Sequence, residues 1–393
     1  MSFWRAVWVV ARKELRDNVR DTRVRFSALA LPLMGPLFFV VIFSGMIADK
    51  RESTSLDVVV SGAHLAPDLV GFLNQNGFRT EDTENDVEAL VRTHRRDVGI
   101  RVHEDYGDKF LHGVSATVEL YADGSDPKLR AKSERVSTLL RGYSEFVGMR
   151  RLLARGVSPS LASPLRVELI DVATPNQMTA RALSIIPMFL LIMAFVGGMH
   201  VASDTTAGER ERGSLEPLLL NPASRGAILA GKWAATSVAA AMAVSVCLCG
   251  FFLATQRLAL SELGIQASLH GINLLTLWGV MLSLVLLASS LQLCVSLYAR
   301  SNREAQTYLQ LLLFLPMTSG VALTLSPLAS ASWMMVIPLL GHNLLAATLI
   351  GGDGISVSAV LLCTLSTCVL ALLIYGASVR LLKRESTVFG RSS

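Results

Sequence analysis

Six apolar runs, at residues 26–48, 183–203, 227–254, 272–298, 305–326 and 356–379, are each long enough to cross a bilayer as a helix, which takes about 20 mostly apolar residues. Only 17% of the chain is charged, against about a quarter in soluble domains. Hydrocarbon must therefore surround much of it. The expected fold class is membrane all-α, with six transmembrane helices. A seventh apolar stretch, 328–350, contains Pro338, Gly341, His342 and Asn343. A full crossing there would move the basic cluster Arg380, Lys383 and Arg384 to the opposite side from the other basic loops. The stretch is therefore expected to be a re-entrant or outer-leaflet hairpin, broken near Pro338 to Gly341, with protein around it or a water-filled cavity beside it.

Basic residues orient the spans. With the N-terminus inside, the inner segments hold Arg5, Arg12, Lys13, Arg16, Arg20, Arg23 and Arg25, then Arg210, Arg212, Arg225, Lys232, Arg300 and Arg303, and finally Arg380, Lys383, Arg384 and Arg391. The short outer loops hold only Arg257. This bias predicts that both termini are cytoplasmic. Residues 204–226 then form a cytoplasmic connection between spans two and three, and 380–393 a cytoplasmic tail.

Residues 49–182 fall on the outer side, between spans one and two. This insert is nearly neutral, with 18 Lys/Arg against 20 Asp/Glu, so the net charge of +5 belongs to the loops beside the spans. That distribution does not build a nucleic-acid surface. "SLDVVVSG", "DVGIRVHED", "SATVELYADG" and "LRVELIDVA" read as strands. "LAPDLVGFLNQNG" and "DVEALVRTHR" read as helices between them, and Pro127–Gly156 as a long helix. The expectation is an extracytoplasmic α/β domain. Its histidines, His64, His94, His103 and His112, lack metal-ligand spacing. All five cysteines lie in apolar runs, so no disulfide or thiolate metal site is expected in the insert.

Residues 1–25 precede the first span. Trp4, Val7, Trp8, Ala11 and Leu15 follow helical spacing, with Arg5, Arg12, Lys13 and Arg16 around them. This predicts an amphipathic elbow helix in the cytoplasmic interface. The early charges are those of a retained segment, not of a cleaved signal.

The segment 204–226, "DTTAGERERGSLEPLLLNPASRG", is too polar for lipid and too rich in leucine for a simple tether. A short amphipathic helix here can dock in a groove of a soluble partner. Glu209 to Arg212 and Glu216 would set the register, while Leu215 and Leu218 supply apolar area. Pro217 and Pro222 suit the ends of such a helix. A solvated loop is the alternative. Gly226, Gly231 and Lys232 have phosphate-loop spacing, but Trp233 stands where Ser or Thr should hold magnesium, and no strand precedes. Lys232 is instead read as marking the cytoplasmic end of span three.

Polar residues in the spans are candidates for a translocation path, because such groups face the bundle interior or a cavity. They are Gln292, Gln306, Gln310, Thr318, His342 and Asn343, with His200, Asn273 and Ser319 also considered. Neutral oxygens of this kind suit a sodium ion. They equally serve as bonds between helices. No acidic residue lies deep in a predicted span.

The stretch "DTTAGERERGSLEPLLLNPASRGAILAGK" (204–232) closely resembles the signature of ABC-2 type permeases of the sodium-extrusion (NatB-like) subfamily. It matches at Asp204, Thr205, Gly208, Glu209, Arg210, Glu211, Arg212, Gly213, Ser214, Leu215, Glu216, Leu218, Leu219, Pro222, Ser224, Arg225, Gly231 and Lys232. "ARKELRDNVRDTRVRFSALALPL" (11–33) resembles the family's elbow and first span, placing Lys13 and Glu14 on the elbow with Trp4 and Trp8. The resemblance implies a multi-pass subunit of a bacterial inner-membrane exporter. It implies coupling to a separate NatA-like ABC ATPase through Asp204, Glu209, Arg210, Glu211, Arg212, Leu215, Glu216, Leu218 and Arg225. ATP and magnesium would belong to that partner, with no cofactor or metal on this chain, and a second permease copy would complete a homodimer. Sodium efflux is the implied activity. Export of a drug, lipid or peptide by the same architecture, or a non-transporting sensor or scaffold, are the alternatives.

Overall fold

In the computed structural model the described residues are 2–20, 22–52, 56–93, 95–125, 127–161, 179, 182–265, 271–325, 332–352, 354 and 356–382. The chain divides into two compact units, residues 1–44 with 173–393 and residues 45–172. In chain order the main elements are α1 (Phe3–Arg20), α2 (Thr22–Glu52), β1 (Leu56–Ser61), α3 (Pro67–Gln75), β2 (Phe78–Asp82), α4 (Val87–Arg92), β3 (Val98–Val102), α5 (Tyr106–Leu111), β4 (Val118–Ala122) and α6 (Pro127–Ala154). There follow α7 (Ile185–Ser203), α8 (Leu215–Leu219), α9 (Arg225–Arg257), α10 (Gly271–Tyr298), α11 (Asn302–Leu311), α12 (Phe314–Leu325), α13 (Pro338–Gly351) and α14 (Val357–Leu382).

The larger unit is helical. Among the described residues, five helical stretches are long and apolar enough to cross a membrane: Leu29–Arg51, Ile185–Glu211, Arg225–Arg257, Gly271–Tyr298 and Val357–Leu382. The single helix expected over 305–326 is instead two shorter ones, α11 and α12. Pro316 accounts for the division. It has no N–H to return to the Leu312 carbonyl, and its ring crowds that carbonyl. The chain there tightens, with Leu315 N–H bonding Leu312 O at 3.1 Å. In the described part of 328–350 the break falls at Pro338. A 3-10 turn over Ser332–Val336 ends just before it and α13 begins, with Pro338 in the first turn, where its fixed φ suits a helix start, and the helix then runs through Gly341.

α7 is buried along most of its length against α9 and α10. Gly197 allows the closest approach, since a Cβ there would lie 2.5 Å from Ala243 Cβ. Small residues at such crossings let backbones meet in a setting where lipid supplies no hydrophobic drive between helices.

The smaller unit is a four-stranded sheet of order β2-β1-β3-β4. β1 pairs in parallel with β2 and β3, and β4 runs antiparallel to β3. Val58, Val60, Val98, Ile100 and Val102 join Leu69 and Leu73 of α3 and Val136 and Tyr143 of α6 in one core. β2 and α5 are not among the elements expected from the sequence. "FRTED" buries only Phe78, too little for an alternation signal. The expected strand "LRVELIDVA" lies outside the described residues.

Candidate coupling site

α7 does not end at Ser203. It continues through a π-helical turn over Asp204–Gly208 and one more helical turn to Glu211. Such wider turns are rare and concentrate at functional sites. Thr205 Oγ1 donates to Val201 O at 2.7 Å and Thr206 Oγ1 to Ala202 O at 2.6 Å, serving carbonyls beside the widened turn. The helix then stops at Gly213, whose φ of 67° is left-handed. Gly213 N–H bonds Arg210 O, and Ser214 N–H reaches back to Glu209 O. This is the six-to-one closure that a glycine stop permits.

The four charges on this last turn therefore point in different directions. Glu209 turns inward and is 5% exposed. Its Oε2 accepts from Lys232 Nζ at 2.6 Å and its Oε1 from Lys13 Nζ at 2.7 Å. Glu14, 3% exposed, accepts from the same two amines at 2.9 and 3.2 Å. Two lysines and two glutamates thus close a neutral ring that joins α1, the end of α7 and α9. Burying two such pairs costs desolvation comparable to their attraction, so the ring adds little net stability. It does specify a single arrangement of the three elements, because an unpaired charge left at this depth is far more costly.

Lys13 is the ring's exposed member. Burial works to lower its pKa, but the hydrogen bond and charge of Glu209, with the charge of Glu14, outweigh it and hold the amine above its ordinary 10.5.

The neighbouring side chains fasten other helix ends. Arg210 Nη1 and Nη2 donate to Ala299 O and Leu297 O at 2.8 and 2.9 Å, capping the carbonyl end of α10, where positive charge is favoured. Glu211 is exposed and accepts from Asn302 N–H at the start of α11, at 2.8 Å. Arg212 is exposed and pairs with Asp204 at 2.8 Å. Arg225 Nη1 donates to Leu382 O at the end of α14 at 3.0 Å. Leu215 is buried, Leu218 is half-buried, and Leu220 is 86% exposed. The side chain of Glu216 lies outside the described residues.

Glu209 to Arg212 do not project together as a docking register, because Glu209 and Arg210 are turned into the protein. Lys232, expected near the end of span three, does lie near the start of α9, but inside the protein. It sits in the second turn of α9, 2% exposed, held by two carboxylates. Sequence gave no distance between residues 14, 209 and 232, so the ring was invisible there. The adjoining Gly231 was a usable signal. A Cβ at that position would stand 2.6 Å from Val10 Cβ and 3.0 Å from Val7 O, so α1 crosses α9 in contact at this glycine.

α1 buries Ala6, Val10, Ala11 and Glu14. Phe3, Trp4 and Trp8 are exposed, at 46%, 78% and 66%. The tryptophans thus belong to an outward apolar face, separate from the stripe that packs on α9.

The candidate path residues differ in their surroundings. Gln310 and Thr318 are exposed, Gln306 is half-buried, and Asn343 is buried. His342 is a fastener between helices, with Nε2 at 2.9 Å from Ser283 Oγ and 3.1 Å from Val280 O, and Nδ1 bonded to Pro338 O and 3.3 Å from Cys363 Sγ. Gln292 donates through Nε2 to Phe195 O. It lies against Gly198, where a Cβ would meet both Gln292 Oε1 and Thr236 Cγ2 within 3 Å. Its Oε1, and the buried hydroxyls of Ser289 and Ser296 on the same helix, have no hydrogen-bond partner among the described residues. Neither serine stood out in a sequence where serine is common in apolar runs.

The chain is similar to known proteins over most of its length. The family described as ABC-2 family transporter protein matches residues 8–385. The ABC transporter permease protein NatB of Bacillus subtilis (strain 168) is 28% identical over 323 residues, covering 78% of this chain and 80% of that protein.

Proposed function

Because this chain belongs to the ABC-2 transporter family and is the multi-pass permease component of an ABC transporter, we propose that its 204–225 segment and α1 together receive the movement of a separate ATPase subunit. The family's membrane subunits carry transport and leave ATP chemistry to a partner. The observation that supports this reading is the ring of Lys13, Glu14, Glu209 and Lys232. A push on α1 or on the turn at Glu211 reaches α9 through buried charges that cannot separate cheaply. A coupling device needs a linkage of this kind, biasing one packed arrangement against another. In this reading the ring lies at the cytoplasmic side of a bacterial inner membrane, the permease acts as a homodimer with two NatA-like ATPase copies, and residues 49–182 are extracytoplasmic.

Sodium is the proposed cargo, on the strength of the motif over 204–232. Gln292 Oε1 and the hydroxyls of Ser289 and Ser296, buried in the seam of α7, α9 and α10, are neutral oxygens of the type a sodium ion takes. Export of an amphiphile is the second reading, favoured by an apolar groove in the smaller unit. ATPase stimulation in the reconstituted complex separates the two. Stimulation by sodium, with no response to a panel of amphiphiles, supports sodium efflux. A clear amphiphile response without a sodium response ends it.

A further inference from the structure

α6 covers one face of β4 incompletely. Between them, and beside α5, lies a cavity of about 540 Å³, within the range of small-molecule sites, roughly 300–1,000 Å³. Its floor is apolar, with Leu69, Val118, Leu120 and Val147. Tyr106 and Phe110 form a stacked wall, with centroids 5.3 Å apart and planes at 17°. The cavity exists partly because Gly148 stands on the α6 side, where a Cβ would meet nothing within 4 Å.

The charged groups among the lining residues are of one sign. Arg141 and Arg151 both line the cavity, and none of its described lining residues is Asp or Glu. Arg151 is fixed, with Nη2 donating to Phe110 O at 2.6 Å and its guanidinium 4.6 Å above the Phe110 ring. Arg141, on the exposed surface of α6, is one residue short of three turns away along the same helix and supplies the second cation. Burial pushes the Tyr106 hydroxyl up to about 12, so it is a neutral group at physiological pH and adds no negative charge.

We propose that this groove binds a small amphiphile with one apolar body and one anionic head, a carboxylate or a phosphate. The apolar floor accepts the body, the exposed guanidinium of Arg141 pairs with the head in the bidentate geometry that it offers to both anions, and the fastened Arg151 adds positive charge to the same groove. This goes beyond the transport reading and does not depend on the cargo being sodium.

The test uses the full chain in lipid nanodiscs and a photoreactive dodecanoate, with labelled peptides mapped by mass spectrometry. Labelling is expected within 106–120 and 137–151. Dodecanoate or dodecyl phosphate should displace it, and dodecyltrimethylammonium at the same concentration should not. Gly148→Leu fills the cavity with a better helix former than glycine and should cut labelling about tenfold. Ser144→Leu, another lining position, provides a second occlusion should the first variant fail to fold. Arg141→Glu should reduce labelling while leaving the apolar floor intact. Labelling elsewhere, equal displacement by the cationic amphiphile, or unchanged labelling in a folded occluded variant overturns the proposal.

Discussion

Lys232 Nζ stands 2.6 Å from Glu209 Oε2, with both side chains almost wholly removed from solvent. Replacing Lys232 by Met leaves Glu209 and Glu14 sharing only Lys13. Removing one partner of a buried pair costs about 3–5 kcal/mol, so Lys232→Met should lower the unfolding temperature sharply. Adding Glu209→Gln removes one orphaned charge and should recover part of the loss, a coupling that a double-mutant cycle measures. Strict additivity would show that the two groups do not depend on each other.

Arg210 gives a second prediction. Its two bonds to Leu297 O and Ala299 O are charge-assisted, and such bonds contribute about 1.5–3 kcal/mol each before losses elsewhere. Arg210→Ala should fray the last turn of α10, seen as faster hydrogen exchange in that turn. Arg210→Lys keeps the charge but loses the fork and should restore only part of the protection. Equal exchange in all three proteins contradicts the capping role.

Leu215 and Leu220 separate packing from docking. Leu215 is 3% exposed and Leu220 86%. Leu215→Ala should cost about 2–5 kcal/mol as a buried truncation. Leu220→Ser should change stability by less than about 0.5 kcal/mol yet weaken co-purification with the ATPase subunit. Undiminished co-purification of the Leu220 variant, together with Glu211→Lys, removes this surface from the docking account.

Gly231 allows α1 to lie against α9. Gly231→Leu should displace α1 and open the ring without altering any charge. Limited proteolysis in 12–20 should accelerate, and ATP-driven transport should fall while the permease still inserts. Unchanged proteolysis would mean that α1 does not depend on this crossing.

Lys13 sets a pH limit. Its folded-state pKa is raised above 10.5 because Glu209 and Glu14 outweigh burial. A raised amine contributes stability that is complete below its unfolded value and is lost as pH rises through the folded value. The difference in unfolding temperature between the natural chain and Lys13→Met should stay constant from about pH 6 to 9 and shrink only above about 10.5. Shrinkage near neutrality would assign the effect to another group.

Sequence made the long apolar helices legible because lipid demands unbroken runs of about 20 residues. β1 and β3 were legible as strands for a different reason, since "DVVV" and "VGIRV" are short β-branched apolar runs with turn residues beside them, but their pairing was not. β2 escaped because an edge strand with one buried residue has no alternation to display. Pro316 was visible, but whether a membrane helix bends or divides at proline depends on its neighbours. The charged ring could not be read, because its members come from positions 13, 14, 209 and 232, and only tertiary contact turns Glu209 away from its neighbours. A run of Glu and Arg ordinarily signals a solvated surface, and here half of it is internal wiring.

The most direct measurement places spin labels at two exposed positions, Asp17 on α1 and Arg212 after the π-helical turn, in the complete complex with its ATPase subunit. Distances are compared without nucleotide and with ATP held unhydrolysed. An unchanged α1-to-212 distance in both states, lost in Lys232→Met, is the expected result. A distribution that shifts between the two states in the natural chain would show that elbow and coupling segment move separately, and the ring would not be the link.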